Sequence, residues 1–117
     1  MDDSLRIFKE QRQFPRVPLY SPLRFQIKSS HHFAATLSRD ISMGGMRVLS
    51  DDFLPLGTSL VLEVTMGDTP RIVNAVAEVV WTQRMPHAER YQLGLRFSEL
   101  DESYHQEINE YVNSSQF

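Results

Sequence analysis

The chain has 117 residues, of which 41% are hydrophobic, a formal net charge of −3 and no cysteine. This length predicts one compact domain with its own core, and the absence of cysteine excludes disulfides and thiolate chemistry. No segment is long and apolar enough to predict a membrane-spanning helix, and no signal peptide follows Met1, so we expect a cytoplasmic protein without membrane insertion.

Charge is unevenly distributed along the sequence. Residues 1–28 carry six basic and three acidic side chains, whereas residues 99–117 carry five acidic and no basic ones. A nucleic-acid-binding domain is usually broadly basic, so this pattern argues against a nucleic-acid partner. It allows a local anion-binding site near the N-terminal end, or two ends whose charges are simply solvated.

Alternation of apolar and polar residues predicts about six β-strands. The positions expected to face the core are, in chain order, Leu23, Phe25 and Ile27; Phe33, Ala35 and Leu37; Met46 and Val48; Leu60, Leu62, Val64 and Met66; Val73, Ala75, Ala77, Val79 and Trp81; Tyr91, Leu93, Leu95 and Phe97. Turns rich in glycine, proline and serine separate them. Short antiparallel strands at this spacing favour a closed barrel or a sandwich, because closure removes unpaired edges.

The C-terminal part of the chain changes to a helical period. An α-helix is predicted over about residues 99–113, with Ser98 and Asp101 marking its N-terminus. We expect its apolar face to pack on the barrel, through Leu100, Tyr104, Ile108, Tyr111 and Val112.

Conventional catalysis is not indicated. The sequence lacks a local serine–histidine–aspartate arrangement and a glycine-rich phosphate loop that leads into a helix. The adjacent carboxylates of Asp51 and Asp52 follow a strand, where a solvated turn explains them. The histidines do not have the spacing of metal ligands: His31, His32, His87 and His105. We therefore expect neither an enzyme nor a metal site.

The segment SRDISMGGMRV combines a carboxylate, a hydroxyl and two glycines. If Ile41 faces inward, Asp40 and Ser42 face outward on one surface, about 7 Å apart. The carboxylate could accept paired N–H donors such as those of guanine, and the hydroxyl and the turn amides around Gly45 could donate to a phosphate. The alternative is that these residues only build the turn.

The segment RQFPR contains two arginines four residues apart, Arg12 and Arg16. Pro15 and Pro18 disfavour a helix, so the two side chains should point the same way on an extended segment, with Cα atoms about 13 Å apart. Two guanidinium groups in this arrangement could hold a dianion, and arginine also matches guanine O6 and N7. The alternative is a solvated linker that happens to contain two arginines.

Together, the two segments resemble the signature of the PilZ domain family, bacterial receptors for the second messenger cyclic di-GMP. The family pattern is RxxxR on an N-terminal arm, followed along the chain by [D/N]xSxxG. Here the first motif is Arg12-Gln-Phe-Pro-Arg16 and the second is Asp40-Ile-Ser42-Met-Gly-Gly45. The segments VVWTQ and YQLGLRF also resemble the last barrel strands of the family.

The resemblance covers residues 10–112 and implies a mostly β fold. This fold is a six-stranded antiparallel β-barrel with a C-terminal α-helix, over residues 18–117, preceded by a flexible arm over residues 1–17. The polar composition of the arm is consistent with mobility, because it offers little apolar surface to bury. The resemblance also leads us to expect a stand-alone PilZ protein.

The resemblance assigns ligand contacts to five residues. Arg12 and Arg16 would hold phosphates and the Hoogsteen edges of guanine, and Asp40 would bind guanine amino or imino hydrogens. Ser42 would contact a phosphate or a neighbouring base, and Gly45 would permit the close turn. These contacts imply a binding protein for cyclic di-GMP without a further cofactor.

Two positions leave alternatives open. Trp81 could contact a base, as an aromatic on this strand does in some members, or belong to the core, because it shares the parity of Val79. Gln11 stands where many relatives carry another arginine, so the ligand could bind as one molecule or as a stacked dimer.

The resemblance implies a receptor whose arm becomes ordered on binding and signals to a protein partner, in regulation of motility or biofilm formation. We expect a monomer rather than an obligate oligomer. One alternative is a PilZ-like adaptor that binds proteins without a nucleotide, although such members usually lack the motif arginines. The other alternative is a nucleic-acid-binding barrel, which would carry exposed aromatic residues beside a basic groove.

Overall fold

A computed structural model of the chain describes residues 15–30, 33–66, 71–86 and 88–114. Arg12 and most of the predicted arm lie outside these residues. The structure consists mainly of β-strands and ends in a helix, with the following elements: β1 (Val17–Pro18), β2 (Pro22–Ile27), β3 (Phe33–Ile41), β4 (Gly45–Ser50), β5 (Ser59–Met66), β6 (Arg71–Arg84), β7 (Tyr91–Leu100) and α1 (Glu102–Ser114).

Strands β2 to β7 form a closed antiparallel barrel. They pair in the order β3–β2–β5–β6–β7–β4, and β4 pairs back with β3 to complete the ring. The short strand β1 lies outside the ring and pairs with the end of β3, Val17 opposite Ile41 and Pro18 opposite Asp40. The predicted fold class is confirmed, and β1 is an additional strand within the segment that was predicted to be extended.

The core follows the predicted alternation most closely in β5. Its four apolar positions are all buried and alternate with half-buried residues: Leu60, Leu62, Val64 and Met66. Burying each such side chain contributes about 1.5–3 kcal/mol to the hydrophobic free energy of folding. Because β5 lies between β2 and β6, this regular strand aligns both neighbours around one core.

A β-bulge in β3 changes the expected orientation of its first half. Ser38 pairs with Val48 and Asp40 pairs with Arg47, which leaves Arg39 as an extra residue. The bulge shifts the alternation by one position. Phe33, Ala35 and Leu37 were predicted to face inward and are instead exposed, whereas Ile41 is buried as predicted.

Helix α1 begins later than predicted. Strand β7 continues through Leu100, and Ser98 is a strand residue whose hydroxyl donates to the carbonyl of Val76 (3.2 Å). The N-cap is Asp101, whose Oδ1 accepts a hydrogen bond from the backbone N–H of Ser103 (3.0 Å). The predicted helix over about 99–113 is therefore observed over Glu102–Ser114.

The helix packs on the barrel and contacts β1. Ile108 and Val112 are buried in the core, as the helical period predicted. The hydroxyl of Tyr111 donates to the backbone carbonyl of Pro18 (2.9 Å). The C-terminal helix is thus bonded to the strand that directly follows Arg16.

Ser38 holds the connection between β1 and β2 against β3. Its side chain is 1% exposed, its hydroxyl donates to the carbonyl of Leu19 (2.5 Å), and it accepts from the N–H of Ser21 (3.0 Å). This buried hydroxyl satisfies backbone groups of an irregular segment that has no regular ladder of its own. It therefore fixes the place where the N-terminal segment joins the barrel.

We expect Ser38→Ala to lower the free energy of unfolding by about 1–3 kcal/mol, because buried backbone groups lose their partner. Urea unfolding measures this loss. Ser98→Ala is the matched control, since its hydroxyl bonds a strand carbonyl at an exposed position, and it should change stability by less than about 0.5 kcal/mol. Equal effects of both substitutions would contradict the role given to Ser38.

Candidate functional site

Four barrel strands bring Asp40, Arg47, Gly94 and Trp81 into one line, which we call the outer row. Asp40 on β3 pairs with Arg47 on β4, Arg47 pairs with Gly94 on β7, and Gly94 pairs with Trp81 on β6. Side chains at directly paired positions lie on the same face of a sheet. Asp40, Arg47 and Gly94 each stand next to a core residue in their own strand. Because neighbouring residues of a strand point to opposite faces, the outer row lies on the outside of the barrel.

Asp40 lies on the predicted face, but it is not exposed. The residue is 5% exposed because arginines cover its carboxylate. Two guanidinium nitrogens of Arg47, Nε and Nη2, contact Asp40 Oδ2. From the N-terminal side, Arg16 Nε lies 3.8 Å from Oδ1. The carboxylate therefore lies on the outer face, and guanidinium groups cover it, since a buried charge needs such compensation.

The two oxygens of this carboxylate differ in their partners. Oδ2 is held by Arg47, whereas Oδ1 is buried and accepts no hydrogen bond from any residue that the structure describes. Arg16 is close enough to Oδ1 for an ion pair but too far for a hydrogen bond. A buried acceptor without a hydrogen bond costs about 1–3 kcal/mol, so Oδ1 favours an additional N–H donor.

Ser42 builds the turn between β3 and β4. Its backbone N–H donates to the carbonyl of Gly45 (2.8 Å), and its hydroxyl accepts from the N–H of Gly44 (3.2 Å). The turn-building alternative for Ser42 is thus observed in the structure. The side chain remains half-buried, so its position also leaves a side open toward solvent.

Gly45 lies against the backbone of β7. A Cβ at this position would overlap the carbonyl of Leu95, so the β4–β7 ladder closes only with glycine here. Gly45 precedes Arg47 by two residues in β4, so the turn lies directly beside the outer row. The fold itself therefore requires the glycine of the [D/N]xSxxG motif.

A bulge in β6 removes Trp81 from the core face. Val79 pairs with Leu95 and Trp81 pairs with Gly94, which leaves Val80 as the extra residue. Trp81 is half-buried and is not a member of the buried core. Its indole ring lies against Gly94, where a Cβ would overlap the ring. The core alternative for Trp81, which rested on unbroken alternation with Val79, is not supported.

Sequence reasoning missed Arg47 as a member of the site. The available signal was its position between the inward residues Met46 and Val48, on the strand that follows the glycines. That alternation predicted an outward side chain but gave no partner, because the pairing of β3 with β4 across a bulge was unknown. Of the predicted site residues, the structure brings Arg16 to Asp40, places Trp81 in the same outer row, and puts Ser42 and Gly45 in the turn that leads into the strand of Arg47.

The described residues show no arrangement typical of a metal centre. Within residues 15–30, 33–66, 71–86 and 88–114, no three potential ligands are grouped. In the same ranges, no helix has both the length and the apolar composition needed to cross a bilayer.

Comparison with known protein families identifies the family of this chain. The model of the PilZ domain matches residues 10–114. The chain belongs to the PilZ domain family. A comparison with curated proteins found no match. The recognition made from the two sequence motifs is therefore confirmed over nearly the whole chain.

Solved structures support the same fold. The chain is similar to the inhibitor of motility MotI/DgrA of Bacillus subtilis (TM-score 0.79, 26% identity), covering 90% of this chain and 51% of that protein, so it spans about half of the Bacillus protein's length. It is also similar to the PilZ domain of YcgR from Escherichia coli, solved with c-di-GMP (TM-score 0.69, 16% identity, 91% and 92% covered). A third similar structure is the MrkH–c-di-GMP complex of Klebsiella pneumoniae (TM-score 0.69, 15% identity, 88% and 50% covered).

Gly45 beside the outer row and Gly94 within it should respond differently to an added methyl group. We expect Gly45→Ala to lower the free energy of unfolding by about 1–3 kcal/mol, because the methyl group meets rigid backbone. Gly94→Ala should instead displace the indole ring of Trp81, the one tryptophan in the chain, and shift its fluorescence emission to longer wavelength. Unchanged emission would contradict the contact between Gly94 and Trp81.

Proposed function

We propose that this chain binds cyclic di-GMP on the outer row and signals the binding to a protein partner. The observation that carries the proposal is the convergence of both motifs on one carboxylate. Arg16 from the first motif lies 3.8 Å from Asp40 of the second, although the two are far apart in sequence. The PilZ domain of YcgR and the MrkH protein, which share this fold, were solved with the same nucleotide.

In this proposal, Asp40 recognises guanine and the arginines hold the phosphates. Oδ1 of Asp40 is a buried acceptor that can receive an N–H from the Watson–Crick edge of the base. Arg16 is half-exposed beside it and can turn toward a phosphate or toward guanine O6 and N7. Arg12 supplies the second cation. The Ser42 hydroxyl, which donates to the carbonyl of Gly45 at 3.4 Å in the structure, turns to donate to a phosphate or a neighbouring base.

The aromatic side of the outer row completes the site. Trp81 is partly exposed, and its indole is supported from one side by the backbone of Gly94. The exposed part of this ring is a free surface on which a base can stack, and such stacking contributes about 1–3 kcal/mol. We assign this free surface to a guanine base of the ligand.

The signal arises from ordering of the arm. A dianionic ligand that contacts both the arm arginines and Asp40 favours the state in which the arm lies on the barrel, since only that state makes both sets of contacts. The arm joins β1, whose Pro18 carbonyl accepts a hydrogen bond from Tyr111 of α1. We propose that the ordered arm and the acidic outer face of α1 together form the surface that a partner protein recognises.

Isothermal titration calorimetry with cyclic di-GMP tests the site. We expect Arg12→Ala and Arg16→Ala each to weaken binding at least about 30-fold, because each removes a charged contact to the ligand. Arg24→Ala is the matched control: Arg24 is also half-exposed and also pairs with a carboxylate, that of Glu63 at 3.6 Å. Its affinity should match that of the unsubstituted protein.

Undiminished affinity in both motif variants would contradict the assignment.

Thermal unfolding separates the proposed function from its alternatives, because only a ligand of the native state raises the unfolding midpoint. Cyclic di-GMP should raise it, whereas GTP and an oligonucleotide should not. The calorimetric stoichiometry also decides between one and two ligand molecules, the question raised by Gln11.

A further inference from the structure

We infer that Arg47 is a positioning residue that prepares Asp40 for a nucleotide. It holds Oδ2 so that Oδ1 is presented to guanine, and it neutralises a carboxylate that would otherwise repel the ligand's phosphates. This inference rests on the proposed function, and it assigns a role to a residue outside both sequence motifs.

The contacts of the carboxylate support the positioning part. Nε and Nη2 of Arg47 both contact the same oxygen of Asp40, so the guanidinium group restrains rotation of the carboxylate. The other oxygen, Oδ1, is buried and accepts no hydrogen bond within the described residues. The cross-strand pairing of Asp40 with Arg47 fixes this arrangement, because it aligns both side chains on one face.

The charges support the neutralising part. The side chain of Asp40 is 7% exposed, so water screens its charge poorly, and an approaching phosphate would be repelled. The positive charges of Arg47 and Arg16 exceed the single negative charge of Asp40 by one. This excess positive charge favours a dianionic ligand.

Two other roles are possible for an arginine in this place, and they predict different results. Arg47 could contact a phosphate directly, in which case its contribution to binding would not depend on Asp40. It could also serve stability alone, in which case its replacement would lower the unfolding midpoint without changing affinity in the folded protein. A double-mutant cycle separates these roles from positioning.

The cycle uses Arg47→Met, Asp40→Asn and the double variant in the full chain, with cyclic di-GMP affinity measured by calorimetry. Arg47→Met alone should weaken binding at least about 30-fold, because it leaves a buried charge without its main partner. In the Asp40→Asn background, where no charge needs compensation, the same replacement should change affinity by less than about threefold. Equal losses in both backgrounds, or unchanged affinity in Arg47→Met, would overturn the inference.

Base discrimination gives a second readout that stability does not influence. The probe is the analogue of cyclic di-GMP in which hypoxanthine replaces guanine, so that the 2-amino group is missing. The unsubstituted protein should bind cyclic di-GMP more tightly than the analogue. Arg47→Met should reduce the ratio of the two affinities toward one, because a carboxylate that is free to rotate no longer recognises the base.

Arg47→Lys keeps the charge on one nitrogen and should recover part of the affinity but not the full preference for cyclic di-GMP. An unchanged preference in Arg47→Met would overturn the inference.

Arg90→Met is the matched control for these experiments. Arg90 also directs Nε at an aspartate, Asp51 (3.2 Å), beyond the opposite end of β4, and its replacement should leave affinity and preference unchanged. If Arg47→Met does not fold, the comparison of Asp40→Asn with the double variant still separates positioning from a direct phosphate contact, because neither contains the uncompensated charge. The base preference of Arg47→Lys then separates positioning from a role in stability alone. Failure of the unsubstituted protein to bind cyclic di-GMP would instead refute the proposed function.

Discussion

Burial of the Asp40 carboxylate is the constraint on which the site depends. A charge removed from water is tolerated only with close compensation, and loss of one partner of a buried pair typically costs about 3–5 kcal/mol. Arg47 from the neighbouring strand supplies the main compensation, and Arg16 from the N-terminal segment adds to it. The carboxylate thus joins the barrel to the segment that carries the first motif, and its Oδ1 accepts no hydrogen bond from the described residues.

The closed barrel supplies the Asp40–Arg47 pair, and residues 17–21 of the N-terminal segment are bonded to the barrel and the helix. β1 contributes two residues to pairing with β3, Ser38 bonds the connection that follows, and Tyr111 bonds the carbonyl of Pro18. These contacts hold the base of the arm beside Asp40 and beside the C-terminal helix. In the proposed function, a ligand that orders the arm therefore acts next to α1.

Regular alternation made much of the fold predictable from sequence. Strand β5 has apolar residues at every second position, and all of them are buried as expected. The C-terminal helix was also predicted, because Ile108 and Val112 recur at helical spacing and both are buried. The family was recognised from the residue types and the order of two short motifs along the chain.

The errors of sequence reasoning come from the bulges. Parity counted through Arg39 placed Phe33 and Leu37 in the core, and parity counted through Val80 left Trp81 with Val79. A bulge depends on the pairing of two strands that are distant in sequence, so the alternation of one strand does not reveal it. For the same reason, the role of Arg47 became visible only when its cross-strand neighbour was known.

The most direct test of the central claim is an NMR titration of the isotopically labelled full chain with cyclic di-GMP. Binding at the outer row predicts saturable chemical-shift changes at the amides of Gly44 and Gly45 and at the indole N–H of Trp81. The amide of Ile72, at the far end of the β5–β6 pair, should not move. Absence of saturable shifts at the two glycines, or shifts confined to the region around Ile72, would contradict the account.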